Sequence, residues 1–379
     1  MIQRPAYIAL IAKSFQITRL VALLGPRQCG KTTIAKQYQK SCDLRSHYFD
    51  LENPVDLEQL RNPVLTLKHL TGLIIIDEIQ RLPDLFPFLR YIHDENPDIS
   101  FLILGSASRD LLRQSSESLA GRISYIEVSP FNVDEVAPAS ILFLRGGFPS
   151  SFLAKDDELS YLWRRNYVRT YLEQDLPSLG FTSNAELIFR FWSMLTHYHG
   201  QVFNGAEIST SLMVSRTSVT HYLSILKGTF MIRILTPWFE NIKKRQVKSP
   251  KIYFRDTGIL NYFLGLEKES DILKSPKLGA IWEGFAMENI ITHLGADPHE
   301  CYFWGTHNQA ELDLLVFKNN RRLGFEFKYA DAPKLTKSMK IVQDDLRLDD
   351  LIVIYPGTKS YSLSDTISVH GLENYVKNH

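Results

Sequence analysis

Gly25-Pro26-Arg27-Gln28-Cys29-Gly30-Lys31-Thr32-Thr33 sets two glycines, a lysine and a threonine at the spacing G-x-x-x-x-G-K-T. Such a run can wrap a phosphate chain, because glycine lets the backbone approach closely and turn its N–H groups inward. A lysine at the Lys31 position reaches the β- and γ-phosphates, and a hydroxyl at Thr32 is a ligand for Mg²⁺. The chemistry predicted is ATP binding, with Gly25 through Thr33 as the cradle. A carboxylate pair, Asp77-Glu78, closes the apolar run Leu73-Ile74-Ile75-Ile76. Asp77 is expected on the Mg²⁺ side, acting through Thr32 and water, and Glu78 as the base that polarises the attacking water.

Those residues need particular elements behind them. Leu20-Val21-Ala22-Leu23-Leu24 reads as the buried strand before the loop, and Thr33-Ile34-Ala35-Lys36-Gln37-Tyr38 as the opening of the helix after it. The isoleucine-rich run before Asp77 suits a strand covered on both faces of a parallel sheet. Tyr48 to Leu51 and Phe101 to Leu104 read as further strands, the latter ending in Gly105-Ser106-Ala107-Ser108. Small polar groups there would either sense the γ-phosphate or cap a helix. Glu117-Ser118-Leu119-Ala120-Gly121-Arg122 then puts an arginine on a loop before the strand Ile123 to Val128. Arg122 either stabilises charge on a transferring phosphoryl group, in its own chain or in a neighbour, or pairs with a surface acid.

Taken together, Gly-Pro-Arg-Gln-Cys-Gly-Lys-Thr-Thr, Ile-Ile-Asp-Glu-Ile-Gln, Leu-Gly-Ser and Ser-Leu-Ala-Gly-Arg resemble the prokaryotic AAA-type ATPases that carry a region called DUF4143. The resemblance covers nearly the whole chain. It implies an α/β fold with a P-loop AAA core, Ser106 as the sensor and Arg122 as the arginine finger. Arg145-Gly146-Gly147-Phe148-Pro149 fits a signature of the same family and reads as the junction out of the core. Glu173-Gln174-Asp175 resembles another, with Asp175 expected in a structural ion pair.

The middle of the chain has the pattern of a winged helix. Ala185 to His199 is amphipathic, Gly205 to Leu212 and Thr217 to Leu226 are short helices around a tight turn, and Phe230 to Leu235 with Lys251 to Phe254 would be the wing strands. Lys243, Lys244, Arg245, Lys248 and Lys251 run between and into them, a cluster suited to phosphate-backbone contact or to plain solvation.

In the last hundred residues, Glu311 to Phe317 and Arg321 to Lys328 form a hairpin around Lys318-Asn319-Asn320, with carboxylates on facing strands. Asp313 with Glu326-x-Lys328 resembles the PD-(D/E)xK nuclease constellation, although Ala310-Glu311-Leu312 stands where that motif has its proline. The resemblance implies Mg²⁺ on Asp313 and Glu326, Lys328 at the nucleophile, and Glu283 as the acid from the preceding helix. Actual phosphodiester cleavage and a relic that only binds nucleic acid both remain open on this reading.

With 379 residues, 44% hydrophobic and 22% charged, the chain is long enough for two or three ordinary domains. The expected division is 1–150 for the ATPase core, 151–265 for the helical linker and winged helix, and 266–379 for the nuclease-like region. A net charge of +1 excludes a global basic field, so nucleic-acid binding must come from local patches. Cys29, Cys42 and Cys301 are far apart and suggest neither a disulfide framework nor a zinc cluster. There is no signal-peptide pattern and no apolar run of membrane-spanning length, so a cytoplasmic protein is expected. The expected cofactors are ATP and Mg²⁺. DNA, branched forms included, and further copies of the chain are the expected partners, and no membrane. The rival expectation is a nucleotide-gated switch or scaffold that binds protein partners and whose nuclease-like domain is silent.

Overall fold

Leu20 to Leu24 and Leu73 to Asp77 are buried at every successive position in the computed structural model, so each strand is covered on both faces. The structure describes residues 2–107, 119, 121–181, 184–307 and 310–379. Ser108, Glu117, Ser118 and Ala120, named above, lie outside the described residues. The chain divides into two compact units. One is Met1–Pro130 with Thr170–Thr182 and Ser224–Phe230, and the other is Phe131–Arg169, Ser183–Leu223 and Met231–His379.

In the first unit, β1 (Leu20–Leu24), β2 (Ser46–Asp50), β3 (Gly72–Asp77), β4 (Ile99–Gly105) and β5 (Ile123–Glu127) form one parallel sheet in the order β2-β3-β4-β1-β5. Parallel neighbours need crossover connections, and the helices between them supply the two covering layers. Ile11, Ile34, Ala35 and Tyr38 of helices Pro5–Phe15 and Lys31–Ser41 pack on Val21, Leu23, Ile75 and Leu102. Leu85, Leu89 and Ile92 of helix Leu85–Glu95 pack on the alternate positions Leu20, Ala22, Ile74, Ile76 and Phe101. The ends of β1, β3 and β4 therefore share one edge, where Asp77 closes β3 and Gly25 and Ser106 follow β1 and β4 directly.

The second unit holds two sheets. β6 (Gln201–Val202), β7 (Ile232–Leu235) and β8 (Lys251–Phe254) are antiparallel in the order β6-β8-β7. β9 (Cys301–Gly305), β10 (Glu311–Lys318), β11 (Arg321–Phe327), β12 (Asp350–Tyr355), β13 (Ser360–Ser362) and β14 (Ile367–Gly371) form a mixed sheet in the order β13-β14-β12-β11-β10-β9. Helix Leu278–His293 is buried over the run Gly284 to Ile291. Helices Gly205–Leu212 and Arg216–Gly228 sit where the winged-helix pattern places them, and β7 pairs with β8 as expected. The amphipathic helix is shorter than expected, ending at Leu195 before a 3₁₀ turn over Thr196–Tyr198.

The basic stretch between β7 and β8 is not a free wing. Its flanks run along β9: Trp238 N–H donates to Phe303 O at 2.7 Å and Val247 N–H to Gly305 O at 2.9 Å. Lys243, Arg245 and Lys248 are exposed, whereas Lys244 pairs with Asp345. Lys251 is a correction to the sequence reading, being only 3% exposed and turned inward among carboxylates.

His199 ties this unit together in one tautomer. Nδ1 accepts from Phe254 N–H at 3.0 Å, so Nε2 carries the proton and donates to Ala280 O at 3.1 Å. Burial pushes its pKa down from 6.5 to about 3. A depressed folded value means that the stability from neutral His199 is whole above about pH 6.5 and is lost as pH falls toward 3. We expect a loss of about 1.4 kcal/mol per pH unit from this group in that window. Melting curves of wild type and His199→Gln between pH 7.5 and 4.5 check it: the difference between the two chains should shrink with acid, and a constant difference would refute the assignment.

Candidate nucleotide site and a second acidic centre

Helix Lys31–Ser41 begins without any side-chain cap, on Gly30 at φ +101°. The first amides of a helix have no intrahelical partner, so those of Lys31, Thr32 and Thr33 face outward from an uncapped, positively polarised end. That is the arrangement an anion needs. Gly30 supplies the left-handed turn, while Gly25 is required by a close approach: a Cβ there would lie 2.1 Å from Val128 O. Lys31 is 5% exposed, and its Nζ donates to Gly25 O and Pro26 O at 2.9 Å each, inside the loop it is expected to serve.

Thr32 and Asp77, 45 residues apart in sequence, meet directly: Thr32 Oγ1 donates to Asp77 Oδ2 at 2.6 Å. Tyr48 OH donates to the same oxygen at 2.7 Å, and Glu78 N–H to Asp77 Oδ1 at 2.9 Å. Burial, then the bond to Asp77, raises the Tyr48 hydroxyl's pKa, so it stays a donor. Glu78 has φ +56°, a backbone conformation that turns it away from the strand line. Ser106 Oγ donates to Glu78 Oε2 at 2.9 Å, and Gln80 bonds both Glu78 and Ser106. Ser106 and Glu78 are thus brought together, and the hydroxyl after β4 bonds the expected base.

Arg122 is placed elsewhere. Ile123 pairs with Leu20 at the beginning of β1, whereas the phosphate loop follows Leu24 at its end. At about 3.3 Å per residue the two lie roughly 16 Å apart along the strands. Arg122 Nε pairs with Asp94 Oδ1 at 2.8 Å instead. Arg27 of the loop pairs with Glu52 and with Asp175, which gives Asp175 the ion pair expected of it. Arg4 braces the loop from below, donating to Cys29 O at 3.2 Å.

The second centre lies on the β10–β11 hairpin. Leu314 pairs with Phe325, so Asp313 and Glu326 stand one step further on, opposite each other. Both are buried. Phe327 N–H donates to Asp313 Oδ2 at 2.9 Å, and Lys328 Nζ lies 2.6 Å from Glu326 Oε2 and 3.7 Å from Asp313 Oδ2. Glu283 reaches the same centre from helix Leu278–His293, but with partners from β8: Tyr253 OH donates to Glu283 Oε1 at 2.6 Å and Lys251 Nζ lies 3.5 Å away. Burial and the Asp313 charge push Glu283 up to about 7 and Glu326 up to about 8. Glu326 Oε1 is buried with no hydrogen-bond partner among the described residues. Among the described residues, no three His, Cys, Asp or Glu side chains converge as a metal-ligand group. The Asp313–Glu326 pair with its orphaned oxygen still fits one cation, since Mg²⁺ is often held by one or two carboxylates.

Residues 18–137 match the family AAA_14, described as an AAA domain, and residues 278–375 match DUF4143, a domain of unknown function. Residues 140–270 match a second domain of unknown function, DUF8612. Two mycobacterial proteins, Uncharacterized protein Rv2008c of Mycobacterium tuberculosis and Uncharacterized protein Mb2031c of Mycobacterium bovis, are each 46% identical over 370 residues. That span is 97% of this chain and 83% of each relative. The chain belongs to the family of AAA_14 proteins with a C-terminal DUF4143 region. Among solved structures, the Walker-type ATPase PABY2304 of Pyrococcus abyssi is 15% identical, with a TM-score of 0.45 over 70% of this chain and 96% of that one. The RuvB Holliday junction branch migration motor of Thermotoga maritima is 18% identical, with a TM-score of 0.31 over 62% and 90%. Such loose superpositions carry nothing about this chain's function.

For this AAA_14–DUF4143 protein, the phosphate loop, Asp77, Glu78 and Ser106 share one sheet edge, and Glu283, Asp313, Glu326 and Lys328 share one side of the hairpin. Sequence reasoning missed Arg4, Tyr48, Gln80, Lys251 and Tyr253. Gln80 was within reach, two residues after Glu78; the others come from elements whose proximity no local pattern encodes. Among the described residues no helix is long and apolar enough to cross a membrane.

Proposed function

We propose that this protein hydrolyses ATP with Mg²⁺ and couples turnover to DNA. The observation that carries the first part is the uncapped helix start at Gly30, with Lys31 inside the loop and Thr32 bonded to Asp77. Gly25 to Thr33 would hold the phosphates, and Thr32 with Asp77 would hold the metal, whose charge offsets that of the phosphates. Glu78 takes the role of base toward water, and Ser106 with Gln80 holds its carboxylate until nucleotide contacts compete for the same groups. Arg122 lies too far from its own loop to serve it and acts instead on the γ-phosphate of a neighbouring copy. In the 1–150, 151–265 and 266–379 division, the core drives the other two parts.

DNA is favoured by what the middle segment exposes. Arg216, Thr217, Thr220 and His221 lie on the outer side of helix Arg216–Gly228, and Lys243, Arg245 and Lys248 are exposed beyond it in sequence. Turnover should rise on adding single-stranded, duplex or four-way DNA, and the gain should fall with salt. The second reading, a nucleotide-gated scaffold for proteins, is favoured because, among the described residues, no three side chains at the DUF4143 centre are placed to hold a metal ion together. It predicts turnover indifferent to DNA at every salt concentration, and that result would sink the DNA proposal.

Complementation tests the role of Arg122. Arg122→Ala and Glu78→Gln chains are each expected to lose turnover by about 100-fold or more. Mixing them should restore a fraction, because a site with Glu78 intact can receive Arg122 from the other chain. No recovery from a mixture shown to associate would remove the neighbouring-copy role.

A further inference from the structure

The DUF4143 centre contains a cation that the nuclease-like motif does not account for. Lys251 comes from β8, sixty-odd residues before the hairpin, and is buried with its Nζ near Glu283 Oε1 and paired with Glu311 at the start of β10. Its Nζ lies over the Phe303 ring, 5.4 Å from the centroid. Tyr253, two residues along the same strand and so on the same side, bonds Glu283 as well. Glu283 therefore meets an ammonium and a phenol from β8. On the other side of the centre, Glu326 pairs with Lys328 through Oε2, while its buried Oε1 has no hydrogen-bond partner among the described residues. The positive charge that burial of these acids calls for thus comes from Lys251 at Glu283 and from Lys328 at Glu326 Oε2, which leaves the second oxygen of Glu326 for a further cation.

We propose that Lys251 is the built-in counter-ion of this centre, occupying the place beside Glu283 and leaving Asp313 and Glu326 to hold a single divalent cation whose affinity the lysine sets. The inference rests on reading the hairpin as a divalent-cation site, but not on cleavage. Burial alone would lower the Lys251 pKa; Glu283, Asp313 and Glu311 outweigh it and raise it, so the side chain remains an ammonium. A fixed positive charge next to a divalent cation repels it, and removing that charge strengthens binding at the remaining carboxylates. Glu311, half exposed, works in the opposite sense by drawing Lys251 partly away from Glu283.

Mn²⁺ binding to the nucleotide-free full chain, followed by the paramagnetic resonance of free Mn²⁺, reads this directly. Subtracting Glu326→Gln removes the contribution of every other site, the phosphate loop included. Lys251→Met, which keeps an unbranched apolar side chain of similar length, should bind Mn²⁺ at least about tenfold more tightly than wild type. The gain should vanish in Lys251→Met combined with Glu326→Gln. Glu311→Gln should bind about two- to threefold more weakly, because Lys251 then faces Glu283 alone. Unchanged or weaker binding by folded Lys251→Met would overturn the proposal, as would a complete lack of Glu326-dependent binding in all chains. If Lys251→Met does not fold, Glu311→Gln decides alone: unchanged or tighter binding overturns it. Uncut DNA alongside the predicted affinity shifts would refute nuclease activity and leave the counter-ion standing.

Discussion

Lys31→Ala is expected to weaken ATP binding by about 100-fold or more and to remove turnover. The ammonium is buried within the loop and makes two charge-assisted bonds, to Gly25 O and Pro26 O. Bound phosphates would take those donors over. A hydrogen bond to a charged group is worth about 1.5–3 kcal/mol, and about 2.8 kcal/mol is 100-fold in affinity. The alanine chain also leaves two loop carbonyls without their donor, so its melting temperature must be measured beside nucleotide binding. Loss of binding in a chain that still melts cooperatively supports the assignment. Turnover retained at the wild-type rate would remove the phosphate loop from the mechanism, whatever the motif.

The second large effect lies far from either centre in function but not in consequence. Gly147→Ala should destabilise the second unit by about 3 kcal/mol or more, at the upper end for single substitutions. Gly147 O accepts from Phe131 N–H at 2.7 Å, and Gly147 N–H donates to buried Asp256 Oδ2 at 2.7 Å. A Cβ on this residue would lie 2.1 Å from Phe131 O and 2.9 Å from Phe131 N. Both obstacles are backbone, and neither can rotate away. Asp256 in turn caps helix Thr257–Phe263 through Ile259 N–H at 2.9 Å, so moving Gly147 also costs that cap. This packing explains the glycine at 147 in the Gly-Gly-Phe-Pro signature. Urea unfolding followed by tryptophan fluorescence measures the effect, since all five tryptophans (Trp163, Trp192, Trp238, Trp282 and Trp304) lie in the second unit. A midpoint within error of wild type would show that the backbone at 131 yields, contrary to this account.

Much of the nucleotide site was legible because its parts are local. The loop from Gly25 to Thr33 is contiguous, its strand is five apolar residues in a row, and its helix follows at once. A strand that is apolar at every position can only be covered on both faces, and in a parallel sheet its carboxyl end is the edge where loops meet. Asp77 and Glu78 could therefore be assigned to that edge without knowing the strand order. Arg122 could not be placed. Its distance from the loop depends on which end of β1 faces Ile123, and that is a matter of pairing register.

The acidic centre divides in the same way. Asp313 and Glu326 face each other because a hairpin's register follows from its turn, which the sequence displays as Lys318-Asn319-Asn320. Lys251 looked like one more basic residue in a solvated run, and only the packing of β8 shows it buried beside Glu283. The flanks of the stretch before it run along β9, a long-range pairing with no sequence signature. The sequence by itself determined the phosphate loop, its two acids, the hairpin acids and the strands that carry them, since each follows from spacing or periodicity within about thirty residues. Tertiary structure alone decided the partners of those groups. Tyr48 on Asp77, Gln80 between Glu78 and Ser106, and Lys251 on Glu283 are meetings between elements, set by where apolar faces could be buried together rather than by anything written beside the residues themselves.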